Sequence, residues 1–204
     1  SPYEVWRDKT GKTTPEEKHA VAELEQVQLG TLLEPKIAEM YTIRTGRKVA
    51  RVNQPIVNAK FPSFMRGNID RRVVGQQSLL ECKNVGYHMA QKAFGEAGTD
   101  EVPEYQLIQV MYYLMLKEYP EGELAALLGG NTFRIFNILF DAELGELMRQ
   151  AGEYFWTENV LKDIPPPAST YDDLNSLYAK SRPGLPVIAT DEIKIAALEA
   201  ARLR

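Results

Sequence analysis

A glutamate and a lysine stand two positions apart at the end of the segment Gly67 to Lys83. Side chains two apart on a β-strand share one face, so Glu81 and Lys83 are predicted to point the same way, with Cys82 pointing oppositely into the core. An acid and a base on a buried strand are costly unless something pairs with them. The pattern therefore indicates a chemical site.

Asp70 lies on the preceding predicted strand, and a hairpin between the two strands would bring it alongside Glu81. Converging carboxylates repel each other, and a hard divalent cation that prefers oxygen ligands relieves the repulsion. We expect Mg²⁺, with Mn²⁺ able to substitute, to be held by Asp70, Glu81 and the backbone carbonyl of Cys82. Lys83 would orient or deprotonate a water and steady the developing phosphate charge, with a second metal ~4 Å away. Glu34, on a helix face, would supply a further carboxylate directly or through water.

Each member of this set also has a simpler interpretation when it is taken alone. A Glu-x-Lys pattern on a strand is usually a surface ion pair. Asp70 beside Arg71 and Arg72 fits a salt-bridge cluster, and Glu34 before Pro35 fits an acid in the first turn of a helix. Only the ordered set favours a metal-dependent hydrolase.

Hydrophobic periodicity and turn residues predict the elements that carry these side chains. Thr14-Pro15-Glu16-Glu17 begins a predicted helix over 14–46, with Gly30 as a candidate point of division. Gly75-Gln76-Gln77 and Gly129-Gly130-Asn131 are predicted to join neighbouring strands. Strands are predicted over 48–52, 69–74, 78–83, 123–128 and 132–140, and further helices over 86–94, 103–118, 141–160 and 190–203. This order predicts an α/β (α+β) fold with a central mixed β-sheet flanked by helices.

Composition is that of one globular domain, with 204 residues of which 44% are hydrophobic and 25% charged. No apolar run reaches the ~18 residues of a transmembrane helix, and no signal peptide pattern is present. Cys82 is the single cysteine, which excludes an intramolecular disulfide and a four-cysteine zinc or iron–sulfur site. We expect a protein without membrane segments in a reducing cytoplasm.

The charges are unevenly distributed, although the net charge of −4 argues mildly against nucleic acid. The segment 44–72 is basic apart from Asp70. A basic face could contact phosphates, and a solvated surface explains the same charges equally well. The flanking arginines Arg66, Arg71 and Arg72 are candidate phosphate contacts, with surface ion pairing as the alternative.

These motifs, in this order, resemble those of the phage lambda exonuclease family, also called the YqaJ viral recombinase family, of the PD-(D/E)xK nuclease superfamily. The resemblance rests on Gly30-Thr31-Leu32-Leu33-Glu34-Pro35, on Gly67 to Asp70, on Glu81-Cys82-Lys83, and on Pro103-Glu104-Tyr105 with Gln109 to Leu114. It covers residues 1 to about 165.

The resemblance implies a restriction-endonuclease-like nuclease domain over 1–165, with 166–204 as a linker and helical tail packed on the same domain. It implies Mg²⁺-dependent 5′–3′ digestion of double-stranded DNA ends during phage or prophage recombination. It also implies a homotrimeric ring and a single-strand annealing protein as partner. Glu34, Asp70, Glu81 and Lys83 would be the catalytic set. Gln109 would lie near the metal or the DNA, whereas Tyr113 would serve packing.

The family's upstream arginine and Gly-x-Ser segment, which help to hold the 5′ phosphate, have no counterpart here. The chain starts at Ser1-Pro2-Tyr3, which looks like the point just after them, so we expect either a shortened chain or another element in their place. Three alternatives stay open: a related nuclease of different polarity or an endonuclease, a non-cleaving DNA-binding or assembly subunit of the same fold, and a structural protein with a coincidental Glu-x-Lys.

Overall fold

The computed structural model describes residues 1–177 and 190–202. The chain divides into two compact units, one formed by Trp6–Pro165 and the other by Ser1–Val5 together with Pro166–Arg204. All of the candidate site residues belong to the first unit. That the segment 166–204 packs on the domain over 1–165 stays a prediction.

The elements follow the predicted alternation of helices and strands. The helices are α1 (Pro2–Lys9), α2 (Pro15–Ala22), α3 (Glu25–Thr45), α4 (Tyr87–Ala93), α5 (Glu104–Lys117), α6 (Ala142–Tyr154), α7 (Tyr171–Leu177) and α8 (Asp191–Arg202). The strands are β1 (Val49–Arg51), β2 (Arg71–Val73), β3 (Ser78–Val85), β4 (Glu121–Leu128) and β5 (Thr132–Leu139). A π-helical segment, Phe155–Val160, continues α6.

Within the described residues the five strands form one sheet in the order β1-β2-β3-β4-β5. Strands β3 and β4 are parallel, whereas the other neighbours are antiparallel. A parallel pair needs a long crossover connection, and α4 and α5 lie in it. The predicted central mixed sheet flanked by helices is confirmed.

The two faces of the sheet are covered by different helices. Leu80 and Cys82 of β3 are buried in a cluster with Tyr41 and other residues of α3. Leu79 faces the opposite way, in a cluster with Leu114 and other residues of α5. Fully burying a side chain of this size contributes roughly 1.5–3 kcal/mol, so both helices are firmly anchored. Cys82 therefore points into the core as predicted, which leaves the next position of β3 on the α5 face.

The break in the first predicted helix lies elsewhere than expected. Gly30 is inside the continuous helix α3, so the prediction that it divides the helix is wrong. The chain instead breaks at Leu24, whose backbone is extended. A helix-interior glycine costs only about 1 kcal/mol, which the packing of α3 on the sheet exceeds. Pro35 also lies within α3, so Glu34 is not a first-turn acid.

Helices α1 and α7 were not predicted, because segments of 8 and 7 residues are too short to show helical periodicity. Helix α8 matches the predicted terminal helix, whose last position lies outside the described residues. None of the described helices combines the length and the apolarity needed to cross a membrane.

The segment that leads into β2 passes very close to α5. A Cβ atom added at Gly67 would lie 2.6 Å from Cε1 of Tyr113, whereas one added at Gly30 would have nothing within 4 Å. We expect Gly67→Ala to lower the free energy of unfolding by ~1–3 kcal/mol because it overpacks this contact. Gly30→Ala, the matched control, should raise it by ~0.5–1 kcal/mol through helix propensity. Urea unfolding of both variants tests this, and equal effects would contradict it.

Candidate active site

A tight β2–β3 hairpin places Asp70 beside the centre of β3. Gly75 lies in its turn with φ +80°, a conformation that glycine adopts without strain. The register pairs Arg71 with Leu80. Asp70, one residue earlier, accepts a hydrogen bond at Oδ2 from the backbone N–H of Cys82 at 2.8 Å. The hairpin thus brings the aspartate to the Glu-x-Lys motif, as predicted from the turn residues.

A chain of hydrogen bonds links β3 to α5. Lys83 donates from Nζ to Glu81 Oε1 at 2.8 Å and to Gln109 Oε1 at 2.9 Å. Gln109 donates from Nε2 to the hydroxyl of Tyr113 at 3.0 Å. Glu81 and Lys83 therefore share one face of β3 as predicted. Tyr113 was predicted to serve packing. Its hydroxyl also accepts a hydrogen bond from Gln109, which in turn accepts one from Lys83.

Glu81 is a buried acid with an unused oxygen. Its side chain is 3% exposed, and Oε2 has no hydrogen-bond partner. Burial raises its pKa to about 7, against the lowering effect of Lys83 and with a further increase from Asp70. Burial also raises the pKa of Asp70, although the Cys82 N–H partly offsets this. Asp70 thus disfavours ionisation of Glu81, and Glu34 disfavours ionisation of Asp70, so a nearby cation would stabilise these carboxylates.

Lys83 is held as an ammonium ion. Burial alone would lower its pKa, but the adjacent Glu81 carboxylate and then Asp70 raise the pKa above its usual range. A lysine with a raised pKa stays protonated near neutral pH, so it donates hydrogen bonds and offsets negative charge. Of the two roles predicted for Lys83, an ammonium group is suited to orienting a water and not to deprotonating one.

Arg71 and Glu34 form an ion pair that sequence reasoning missed. Arg71 Nη1 lies 2.5 Å from Glu34 Oε1 and 2.7 Å from the backbone carbonyl oxygen of Asp70. Arg71 is buried, with 6% exposure, so its surroundings differ from those of a surface phosphate contact. The alternation of β2 is the signal that could have shown this, because it turns Arg71 towards the face that α3 covers.

The other candidate phosphate contacts, Arg66 and Arg72, are exposed. Arg66 donates from Nε and Nη2 to the backbone carbonyl of Ser63. That they contact DNA stays a prediction.

The carboxylates are only partly gathered for metal binding. Among the described residues, no group of three or more His, Cys, Asp and Glu side chains is placed to hold a metal ion. Instead, Glu34 forms an ion pair with Arg71, and Glu81 forms one with Lys83. Asp70 and Glu81 still fit Mg²⁺, because this ion binds one or two carboxylates and keeps several waters. The unpartnered Oε2 of Glu81 is a buried acceptor that such an ion would satisfy.

Comparison with known protein families gives one matching model, the YqaJ-like viral recombinase domain, over residues 1–120. The uncharacterised protein YqaJ of Bacillus subtilis (strain 168) is 34% identical over 163 residues, 79% of this chain and 48% of that protein. The chain thus spans about half the length of that relative.

Solved structures also resemble this chain. A phage-related exonuclease from Haemophilus somnus 129PT is 16% identical, with a TM-score of 0.53 over 77% of this chain and 88% of its own. An alkaline exonuclease from Laribacter hongkongensis is 18% identical, with a TM-score of 0.49 over 99% of this chain and 93% of its own. At 16% identity the first likeness shows a shared fold.

The buried ion pair makes Arg71 and Glu34 energetically coupled. We expect Arg71→Met to lower the free energy of unfolding by ~1–3 kcal/mol, because it leaves the Asp70 carbonyl and a half-buried carboxylate without their donor. Arg72→Met, the exposed neighbour, should change it by less than ~0.5 kcal/mol. In a double-mutant cycle with Glu34→Gln, urea unfolding should give a coupling of at least ~0.5 kcal/mol, and strict additivity would refute the pairing.

Proposed function

The chain belongs to the YqaJ-like viral recombinase family, and on that premise we propose that it is a Mg²⁺-dependent exonuclease acting on the ends of double-stranded DNA. The observation that carries the proposal is the carboxylate pair formed by the half-buried Asp70 and the buried Glu81, beside the protonated Lys83. An anionic pair that recruits a cation, next to a fixed positive charge, suits a reaction that builds negative charge on a phosphate. The phage-related exonuclease of similar fold is consistent with this assignment.

In this proposal Asp70, Glu81 and the backbone carbonyl of Cys82 hold the metal. A Mg²⁺ ion held there would supply Lewis acidity and an activated water for phosphodiester hydrolysis. Glu34 supports a second ion, directly or through water, from its place beside Arg71. These are the roles that the sequence assigned to the same four groups.

The remaining residues act on the phosphate and on one another. The ammonium group of Lys83 orients the attacking water and offsets the charge that develops on the scissile phosphate. Gln109 is a positioning residue, because its amide oxygen accepts from Lys83 while its amide nitrogen donates to Tyr113. Arg66 and Arg72, both exposed, are proposed to contact the DNA backbone.

Membership of this family also suggests the pathway, the oligomeric state and the partner protein that form part of the proposal. A viral recombinase domain suits 5′–3′ resection of duplex ends in the single-strand annealing pathway of phage recombination. A homotrimeric ring around the DNA and a single-strand annealing protein as partner complete that setting. A basic channel in such a ring would reconcile DNA binding with the net charge of −4.

One observation favours a second candidate, a non-cleaving DNA-binding or assembly subunit of the same fold. Arg71 engages the carboxylate of Glu34 and so competes with a metal for it. A subunit that uses arginine in place of a metal ion would keep the fold and bind DNA without hydrolysis.

Strand-specific cleavage decides between these functions. Linear duplex labelled differently at its 5′ and 3′ ends should release 5′-terminal mononucleotides with Mg²⁺ and none with EDTA. Lys83→Ala should reduce the rate by at least ~100-fold, because it removes charge stabilisation from the transition state. Lys60→Ala, an exposed lysine paired with Glu118, should retain the wild-type rate.

Other outcomes of that assay are equally informative. Release from 3′ ends would contradict the proposed 5′–3′ polarity. Nicking of closed circular DNA would indicate an endonuclease instead of an exonuclease. A folded protein that binds Mg²⁺ and DNA without cleaving would establish the second candidate. A folded protein that shows no metal binding and no cleavage would exclude the nuclease function.

Metal binding should depend on pH through Glu81. Its pKa of about 7 in the metal-free protein means that a proton competes with the metal below that pH. We expect calorimetric Mn²⁺ affinity to be about tenfold weaker at pH 6 than at pH 8, as the ionised fraction falls. Asp70→Asn, whose amide oxygen can still accept from the Cys82 N–H, should bind little metal at either pH. An affinity independent of pH would remove Glu81 from the ligand set.

A further inference from the structure

The two edges of the sheet differ in what covers them. Strand β5 forms one edge, and the segment between α4 and α5 pairs with it. The Gly98 N–H donates to the Ile135 carbonyl at 2.8 Å, and the Asn137 N–H donates to the Thr99 carbonyl at 3.0 Å. Strand β1 forms the other edge, where its pairing with β2 uses one side of its backbone. The sheet is therefore covered at β5, and its other edge is open if nothing pairs with β1.

The outward-facing groups of β1 follow from its hydrogen bonds to β2. The Val74 N–H donates to the Lys48 carbonyl at 2.8 Å, so the backbone groups of Lys48, and those of Ala50 two residues on, face β2. The N–H and C=O groups of Val49 and Arg51 face the other way, because their direction alternates along a strand. Among the described residues, no hydrogen bond reaches these four groups. An edge of this kind is a template for a further strand.

Positive charge lies on both faces of the sheet at this edge. Lys48 and Arg51 are exposed, and they project from opposite faces because side chains alternate along a strand. The neighbouring Arg47 pairs with Glu123, whereas Lys48 and Arg51 form no ion pair within the part of the chain that the structure describes. The open edge thus carries two cations whose charge is not offset by an adjacent acid.

These two charges determine which strand the edge would accept. A second copy of β1 would bring the same cations to the edge and be repelled, since like charges on paired strands are destabilising. An acidic strand would be attracted for the opposite reason. Val49 and Ala50, which lie between the cations, are half-buried and offer apolar contacts. The matching segment is therefore extended and has two apolar residues between two acids.

We propose that the open edge of β1 binds an extended acidic segment of a partner protein as an additional strand of the sheet. Backbone hydrogen bonds to Val49 and Arg51 supply affinity, and acids opposite Lys48 and Arg51 supply specificity. A DNA backbone suits this edge less well, because phosphate oxygens accept hydrogen bonds and cannot satisfy the two outward-facing carbonyls. The inference does not depend on the proposed nuclease function.

Peptide binding to the intact chain, measured by fluorescence anisotropy, tests the proposal. The probe is a labelled peptide of two Glu-Val-Val-Glu units. A Lys-Val-Val-Lys version reverses its charge, and a Glu-Pro-Pro-Glu version removes the central N–H donors. The acidic valine peptide should bind at least about tenfold more tightly than either. Arg51→Glu should weaken its binding about tenfold and strengthen binding of the basic peptide. Lys92→Glu, at an exposed lysine of α4, is the control for added negative charge and should match the wild type.

Amide hydrogen exchange locates the bound peptide without any mutation. At saturating peptide, exchange at Val49 and Arg51 should slow by about tenfold or more, whereas Ala50, whose N–H already faces β2, should change little. Equal binding of the three peptides, or a lack of protection at Val49 and Arg51, would overturn the proposal. A short DNA duplex that binds where the acidic peptide does not, and that is lost in Arg51→Glu, would also overturn it and identify a nucleic-acid contact.

Discussion

Strand β3 carries a buried carboxylate, Glu81, and a half-buried ammonium group, Lys83, and an unpaired charge is costly in such surroundings. Glu81 is compensated by Lys83, and Lys83 is held by Gln109, which requires α5 to lie against this face of the sheet. Asp70 is tied to the same strand by the Cys82 N–H, which requires the β2–β3 register. A slip of one residue would turn Leu80 or Cys82 into the site and place the charges in the α3 cluster. The pairing of buried charges thus dictates both the hairpin and the docking of the helix.

The sequence showed most of this arrangement because strand alternation and turn residues are local signals. The positions of Glu81, Lys83 and Cys82 followed from the two-residue period, and that of Asp70 from the Gly75 turn. The Arg71–Glu34 pair could not be predicted, because it joins side chains 37 positions apart through the packing of α3 on β2. The prediction that Gly30 divides the first helix was wrong for a related reason. The weak helix propensity of glycine is outweighed by the tertiary packing of the 21-residue helix α3.

The net charge of the candidate site would change sign if it bound a divalent metal ion. Three carboxylates, Glu34, Asp70 and Glu81, face two cations, Arg71 and Lys83. When all of these groups are ionised, the cluster carries −3 + 2 = −1, and one divalent ion would convert this to +1. The metal-free cluster repels a phosphodiester, whereas the loaded cluster attracts it. In the proposed nuclease, electrostatics would therefore favour binding of the metal before binding of the DNA.

The topology also sets the order in which the site can assemble as the chain folds. The contact between Asp70 and Cys82 spans 12 positions, that between Lys83 and Gln109 spans 26, and the parallel pair Ser78 with Glu121 spans 121 − 78 = 43. Loop closure costs more entropy as the separation grows, and non-local pairings slow folding. The hairpin with its acids can form early, while the lysine gains its support only after α5 docks. For a chain that emerges from a ribosome, these separations predict that the residues proposed to bind metal come together before those proposed to bind phosphate.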